Sequence, residues 1–270
     1  MSFLVAQPSP FLAQYVKQFW MIENYVHPGS SYLHRIVPNG LMELNFYMEE
    51  KPESTNPDKH LAENTLISGQ QKSAYDLRIK NKLSLFSITF QPLGVKAFFN
   101  IPMNECCDQN IPLRFIHKEF TEKLESQLFE IKTFHQKISL AEKLLTELFI
   151  KKQTEYNFKR VGDSIQFINT KGGKTNVEEL AGRACLGRKQ YERIFSECIG
   201  ISPKRFLKIV RFQHSIFLKQ QNGEMNLTRL AYDSGYFDQS HMINDFHLIS
   251  GMTPTQFFAE CEPYSDYFSI

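Results

Sequence analysis

Three residue types of a hydrolytic triad, Asp238, Ser240 and His241, fall within four positions of the stretch "GYFDQSH". A triad needs nucleophile, base and orienting acid in one hydrogen-bonded line, and residues one or two apart on a helix do not face each other. The spacing therefore excludes a triad. A Gly-aromatic turn, an Asp, polar residues and then Met242 and Phe246 read instead as the N-cap and first turn of a helix. His27, His34, His60 and Glu43 are metal-ligating types, but no His-x-His pair with a following carboxylate on neighbouring strands accompanies them. Neither a nucleophile motif nor a phosphate loop is present. Cys106, Cys107, Cys185, Cys198 and Cys261 are odd in number and lack paired metal or disulfide spacing, so they read as reduced thiols, mostly buried. No catalytic residue, metal or cofactor is assigned.

The elements that position "DQSH" emerge from an internal repeat. "NVEELAGRACLGRKQYERIFSECIGISPKRF" and "NLTRLAYDSGYFDQSHMINDFHLISGMTPTQF" share one plan. Asn176, Leu180 and Ala181 match Asn226, Leu230 and Ala231; Phe195, Gly200, Pro203 and Phe206 match Phe246, Gly251, Pro254 and Phe257 after one extra residue in the turn. Each copy predicts an Asn-capped short helix, a tight turn and a second helix ending in Gly, which is a helix-turn-helix. Asn176 and Glu179 have capping-box spacing. In the first copy Tyr191, Ile194, Phe195 and Cys198 form the inner face of the second helix, leaving Lys189, Arg193 and Ser196 outside with Arg188 and Glu192 on the flanks. In the second copy Met242, Phe246 and Ile249 point inward, leaving Ser240, Asn244 and His247 outward and Gln239 at the edge. A mostly helical stretch, Pro203 to Gln221, joins them. Any surface helix has a polar outer face, but two on a rigid connector suit a DNA major groove, where Arg and Lys address guanine and Asn and Gln address adenine.

Residues 160–260 resemble the AraC/XylS transcription regulators, through "ELAGRACLGRKQYERIF", "GISPKRFLKIVRFQHS" and "RLAYDSGYFDQSHMINDFHLISGMTPTQF". The resemblance implies an all-helical domain whose two recognition helices enter successive major grooves of double-stranded DNA. It places Arg188, Lys189, Glu192 and Arg193 in the first recognition helix and Gln239, Ser240, Ile243 and Asn244 in the second. Two departures stand out: Gly187 replaces a Ser-like cap, and Asn244 stands where an Arg is common, which weakens the second unit's grip on phosphates.

The amino-terminal half has period two instead. Met42, Leu44, Phe46 and Met48 alternate with Glu43, Asn45 and Tyr47; Phe86, Ile88 and Phe90 alternate with Ser87 and Thr89; Tyr75, Leu77 and Ile79 continue the pattern. With a "PNG" turn at Pro38 to Gly40 and a loop at "EEKPESTNPDK", residues 3 to about 101 predict an antiparallel β domain. "HRIVPNGLMELNFYM", "ISGQ" and "TFQPLGVKAFF" resemble the sensor domains fused to such regulators, which implies a cupin-like β-barrel able to enclose a small ligand. Glu43, Asn45, Tyr47 and Arg78 are candidate ligand-binding residues, set against the plainer reading of a strand's wet side. Apolar stripes in 116–152 predict a helical pair, either packed on the barrel or forming a homodimer interface.

The 270 residues, 42% hydrophobic, allow two cores. Of the net charge of +2, residues 158–260 hold 14 Lys/Arg against 10 Asp/Glu, an excess too modest to decide alone. No targeting segment or membrane span is visible, which implies a cytoplasmic protein. The expected organisation is an α+β chain: a β-rich sensor or dimerisation domain at 1–152, a linker at 153–159 and a DNA-binding domain at 160–262, with helix-turn-helix units at about 176–199 and 226–250. The expected function is sequence-specific transcription regulation, not enzymatic, under a small-molecule effector. The rival is a β-barrel enzyme or ligand carrier with a helical appendage.

Overall fold

The β-branched and aromatic alternation of the first half does form antiparallel strands. In the computed structural model, which describes residues 2–27, 29–99, 101–149, 156–261 and 265–268, these are β1 (Ser2–Ala6), β2 (Val16–Tyr25), β3 (Tyr32–Ile36), β4 (Met42–Tyr47), β5 (Glu53–Ser54), β6 (Thr65–Ser68), β7 (Tyr75–Ile79), β8 (Lys82–Phe90) and β9 (Asn110–Pro112). One sheet has the order β1-β2-β8-β4-β6-β9 and the other the order β3-β7-β5. The antiparallel β domain stands, but among the described residues no ladder closes it into a barrel. The segment expected as a loop, "EEKPESTNPDK", contains β5 and a single 3₁₀ turn capped by Asn56.

The six-stranded sheet is covered on both faces. Phe19, Met21, Met42, Leu44, Phe46, Phe86, Ile88 and Phe90 are buried on one side. Phe90 there meets Phe98 of helix α1 (Gly94–Phe98), with ring centroids 5.8 Å apart. After the one-turn α2 (Leu113–Ile116) come α3 (Lys118–Leu128) and α4 (Phe134–Phe149), whose stripe of Phe120, Leu124, Leu128, Ile138, Ala141, Leu144 and Leu145 is buried within this unit. Phe134 of α4 stands edge-on to Phe86 of β8. On the opposite face Trp20, Ile22, Tyr47, Leu66, Leu83 and Leu85 pack with Ile36, Tyr75, Leu77 and Ile79 of the three-stranded sheet. Each such large side chain contributes about 1.5–3 kcal/mol when fully buried. Because β4 and β8 lie between two layers, Asn45 and Tyr47 are buried. The wet side of strand β4 anticipated for them does not exist.

The chain divides into two compact units, residues 1–36, 41–70 and 75–155, and residues 156–270 with the short segments 37–40 and 71–74. Of the segment read as a linker, 153–155 lies outside the described residues and 156–159 opens helix α5 (Tyr156–Thr170). Then follow α6 (Val177–Arg183), α7 (Arg188–Ile199), α8 (Pro203–Gln221), α9 (Leu227–Asp233), α10 (Gln239–Ser250) and α11 (Pro254–Glu260). Their core is aromatic: Phe195 meets Phe206 at 5.6 Å and Phe212 meets Phe246 at 4.7 Å between centroids. Ile165 and Ile168 of α5 are buried in the same unit.

His214 on α8 gives this unit a pH response. Burial, reinforced by the Lys174 ammonium and opposed by Asp233, holds its imidazole below the ordinary value. A base whose folded pKa is depressed adds nothing above its unfolded pKa, roughly 6.5, and loses stability as pH falls from there towards the folded value. Stability measured by urea unfolding should thus decline as the pH drops below about 6.5, with His214→Phe flattening that slope. An unchanged slope in the variant would assign the decline elsewhere.

Candidate nucleic-acid interface

Each half of the repeat folds as a helix, an αL turn and a second helix, by the same hydrogen bonds. In the first, Asn176 caps α6 by accepting from the Glu179 N–H at 2.8 Å. The Glu179 carboxylate accepts from the Thr175 hydroxyl at 2.6 Å, one residue before the partner a full capping box would use. The Leu186 N–H then donates to the Ala181 carbonyl across Cys185, which adopts φ 53°. In the second, Asn226 caps α9, and the Tyr236 N–H donates to the Ala231 carbonyl across Gly235, at φ 84°. The left-handed position is occupied by Gly in one copy and by Cys in the other, a conformation that costs an L-residue roughly 1–2 kcal/mol. Both second helices, α7 and α10, end at a left-handed glycine, Gly200 and Gly251.

The opening motif resolves here. Asp238 accepts from the His241 N–H at 2.7 Å and is the N-cap of α10, while α7 starts at Gly187 with no side-chain cap. Replacing Asp238 by Ala should cost about 1 kcal/mol of folding stability without removing any chemistry. A thermal midpoint unchanged by that variant would contradict the capping role.

Arg188, Lys189, Arg193, Ser240 and Asn244 are exposed, and Glu192, Gln239 and Ile243 half-buried, whereas Tyr191, Ile194, Phe195, Cys198, Met242, Phe246 and Ile249 face the core. The arginines of α7 are engaged by carboxylates: Arg188 by Glu178 and by Glu192 at 3.0 Å, and Arg193 by Glu197 at 2.8 Å. Such exposed pairs are weak and exchange readily for a phosphate or a guanine edge. On α10, the Gln239 Oε1 accepts from the Thr228 hydroxyl of α9 at 3.0 Å. Phe237, immediately before the cap, is 84% exposed; an apolar side chain there was not anticipated as part of the interface.

A buried ion cluster, also unanticipated, holds α10 to the connector. Asp245 is 1% exposed, with Lys208 of α8 at 2.5 Å, Arg211 at 3.8 Å and His241 at 3.9 Å. The signal was present in sequence: Asp245 lies on the same helical face as Met242, Phe246 and Ile249, where a lone charge must have partners.

The candidate ligand residues belong to the amino-terminal unit. Glu43, Asn45 and Tyr47 share one face of β4, toward the three-stranded sheet, and burial drives the Tyr47 phenol far above its ordinary value, with the charge of Glu43 adding to the effect. Arg78 is exposed on β7 between the inward-facing Leu77 and Ile79, so it points away from that group. Among the described residues no three His, Cys, Asp or Glu side chains gather into a metal site. Cys106 and Cys198 are buried, Cys107 and Cys261 half-buried and Cys185 exposed, so burial accounts for fewer of the cysteines than expected. Burial pushes the Cys106 thiol up to about 11.

Comparison with known proteins bears on both units. Residues 180–260 match the family described as a helix-turn-helix domain, and an uncharacterized HTH-type transcriptional regulator of Haemophilus influenzae is 34% identical over 82 residues. The carboxyl-terminal unit is an AraC-type helix-turn-helix domain. The AraC-type domain is also similar to the uncharacterized HTH-type transcriptional regulator YdeC of Bacillus subtilis, 30% identical over 84 residues. These matches span 30% and 31% of this chain and only about a quarter of each relative, 27% and 28%. Residues 4–112, preceding the AraC-type domain, match a domain of unknown function, DUF6597. Among solved structures, ToxT from Vibrio cholerae aligns with a TM-score of 0.47 at 10% identity, covering 89% of this chain and 98% of that one. The unsaturated-fatty-acid-bound form of ToxT gives 0.48 at 12% identity, covering 92% and 97%.

Proposed function

We propose that this chain is a sequence-specific, DNA-binding transcription regulator rather than an enzyme, working in the cytoplasm, with its amino-terminal unit sensing a small molecule or mediating dimerisation. The observation that carries the reading is the pair of helices α7 and α10, each presenting an outward polar face, both packed on the single 19-residue helix α8. Arg188, Lys189, Glu192 and Arg193 are the contacts of the first unit, and Gln239, Ser240, Ile243 and Asn244 those of the second. Lys189 and Arg193 suit guanine or phosphate, Gln239 and Asn244 adenine, and Ile243, with the exposed Phe237 beside the cap, the thymine methyl group. The cationic side chains are on α7, so the first unit supplies more of the affinity and the second more of the discrimination by shape and neutral hydrogen bonds. Among the described residues no helix is long and apolar enough to cross a membrane.

The test is selection of duplexes from a random pool by the full chain, followed by titration of the winning sequence. Recovery of two short sequence blocks spaced by about one helical turn supports the assignment. Recovery of no sequence preference refutes it.

A further inference from the structure

Among the described residues the two sheets have four outer edges, and three of them are protected. Strand β9 is three residues long and ends at Pro112, β5 is two residues long and carries Glu53, and β3 carries His34 and the Arg35 that pairs with Asp76. Short length, proline and charge are the usual means by which a sheet edge is kept from pairing. Strand β1 has neither charge nor proline over its five residues, "SFLVA", and among the described residues no strand or backbone hydrogen bond meets its outer side. Phe3, Leu4 and Val5 are 51%, 46% and 39% exposed in succession. Consecutive residues of a strand point to opposite faces, so at this end of the sheet both faces are partly bare apolar surface.

What fits this edge follows from the strand's own sequence. About Leu4 the strand is nearly symmetric in side-chain character: Phe3 balances Val5, and Ser2 balances Ala6. Laid antiparallel on a second β1 across a two-fold axis at Leu4, it sets Leu4 against Leu4 and Phe3 against Val5, both favourable cross-strand pairs. The ladder to β2 extends the match, because Val5 lies beside Trp20, Phe3 beside Ile22 and Leu4 beside Met21. One face then carries an unbroken apolar row of Trp20, Val5, and Phe3 and Ile22 of the second copy; on the other face Met21 and Leu4 continue into their own counterparts. No charge falls in those rows, and residues 1–157 hold acidic and basic side chains in equal number, so neither the strand nor the net charge of this region opposes a copy of itself. The alternative surface for self-association, the apolar stripe of α3 and α4, is already buried within the unit.

We propose that the chain dimerises by pairing β1 with β1 of a second copy, which joins two six-stranded sheets into one across a two-fold axis at Leu4. Each β1 has a single open side, so the assembly closes at two copies. This interface rests on the dimerising role proposed above for the amino-terminal unit and assigns that role to a surface.

The experiment is sedimentation equilibrium of the full chain across the micromolar range, for the parent, for Leu4→Lys, for Leu4→Glu and for an equimolar mixture of the two variants. The parent is expected to dimerise. Each variant places like charges directly opposite on the axis and should weaken association about tenfold or more, while the mixture, which sets Lys against Glu, should recover it. Leu4→Cys, a milder change, should form a symmetric interchain disulfide with oxidised glutathione where the parent does not, since opposed residues of an antiparallel pair lie about 4.5–5.5 Å apart. A parent that stays monomeric, as it would if the strand of a different protein covers β1, overturns the proposal. So does a parent that assembles beyond two copies, a charged variant that dimerises as the parent does, a mixture of variants with the parent's thermal midpoint that associates no better than its components, or no cross-link through Leu4→Cys. Binding to the selected duplex, measured on the same samples, keeps the two readings apart: a dimer that binds no duplex loses only the regulator reading. A monomer that binds the duplex loses only the interface.

Discussion

The affinity of the full chain for its selected duplex should fall on the order of a thousandfold or more between roughly 50 and 200 mM salt, as expected for a protein that neutralises about 6–10 phosphates. Within that total, Arg193→Ala should cost about 1–3 kcal/mol and relax preference at one base pair if the guanidinium reads a base. The ion pairs on α7 refine this. Arg193 is engaged by Glu197, so removing the arginine also leaves a carboxylate facing DNA, whereas Glu197→Gln should release the arginine and strengthen binding. Among the described residues Lys189 has no ion-pair partner, and Lys189→Ala should lower affinity on all sequences alike while reducing the salt slope by about one. Asn244→Arg should strengthen binding broadly by adding a phosphate-seeking charge. These outcomes are read by titrating each variant on the selected and a scrambled duplex. A flat salt response, or an Arg193→Ala variant that is folded and binds as the parent does, would mean that α7 does not read DNA.

The largest stability effect is expected at Asp245. Its carboxylate is nearly inaccessible and answers Lys208 and Arg211 on α8, so Asp245→Ala strands two half-buried cations. Breaking a buried pair from one side costs about 3–5 kcal/mol; because the Lys208 side chain retains some exposure, about 3 kcal/mol is expected here. Asp245→Leu combined with Lys208→Leu should recover part of that loss, since an apolar pair of similar volume avoids the desolvation penalty. Urea unfolding of the parent and both variants checks this. A loss below about 1 kcal/mol for Asp245→Ala would show the cluster to be incidental.

The helix-turn-helix units were legible because their signals are local. Caps at Asn176, Asn226 and Asp238, terminal glycines at 200 and 251, and the inward stripes of α7 and α10 are each decided within a dozen residues. Helix α5 escaped because its opening "YNFKR" mixes aromatic and polar residues and follows a run of Lys, Gln and Thr, and its buried Val161, Ile165 and Ile168 come only later. The strands were legible, but the openness of the sheets was not, since closure depends on which edges meet across the fold. Asn45 and Tyr47 misled for a related reason: polar alternation signals solvent only where one face of a sheet is bare, and β4 is covered on both. The second helix of each repeat could be assigned a reading face, but the engagement of Arg188 on α7 by Glu178 could not, because Glu178 comes from the preceding helix.

Helix α8 runs unbroken from Pro203 to Gln221, roughly 28 Å at the usual rise, and touches both α7 and α10. On the proposed reading, two heads mounted on one stiff rod cannot adjust their mutual angle at little cost, so a mismatch with the pitch of the double helix would be absorbed by the nucleic acid. Flexible pyrimidine–purine steps between the two contacted blocks would lower that deformation energy, and stiff A-tracts there would raise it. The preferred binding sites would then carry a sequence signature at base pairs that no side chain touches.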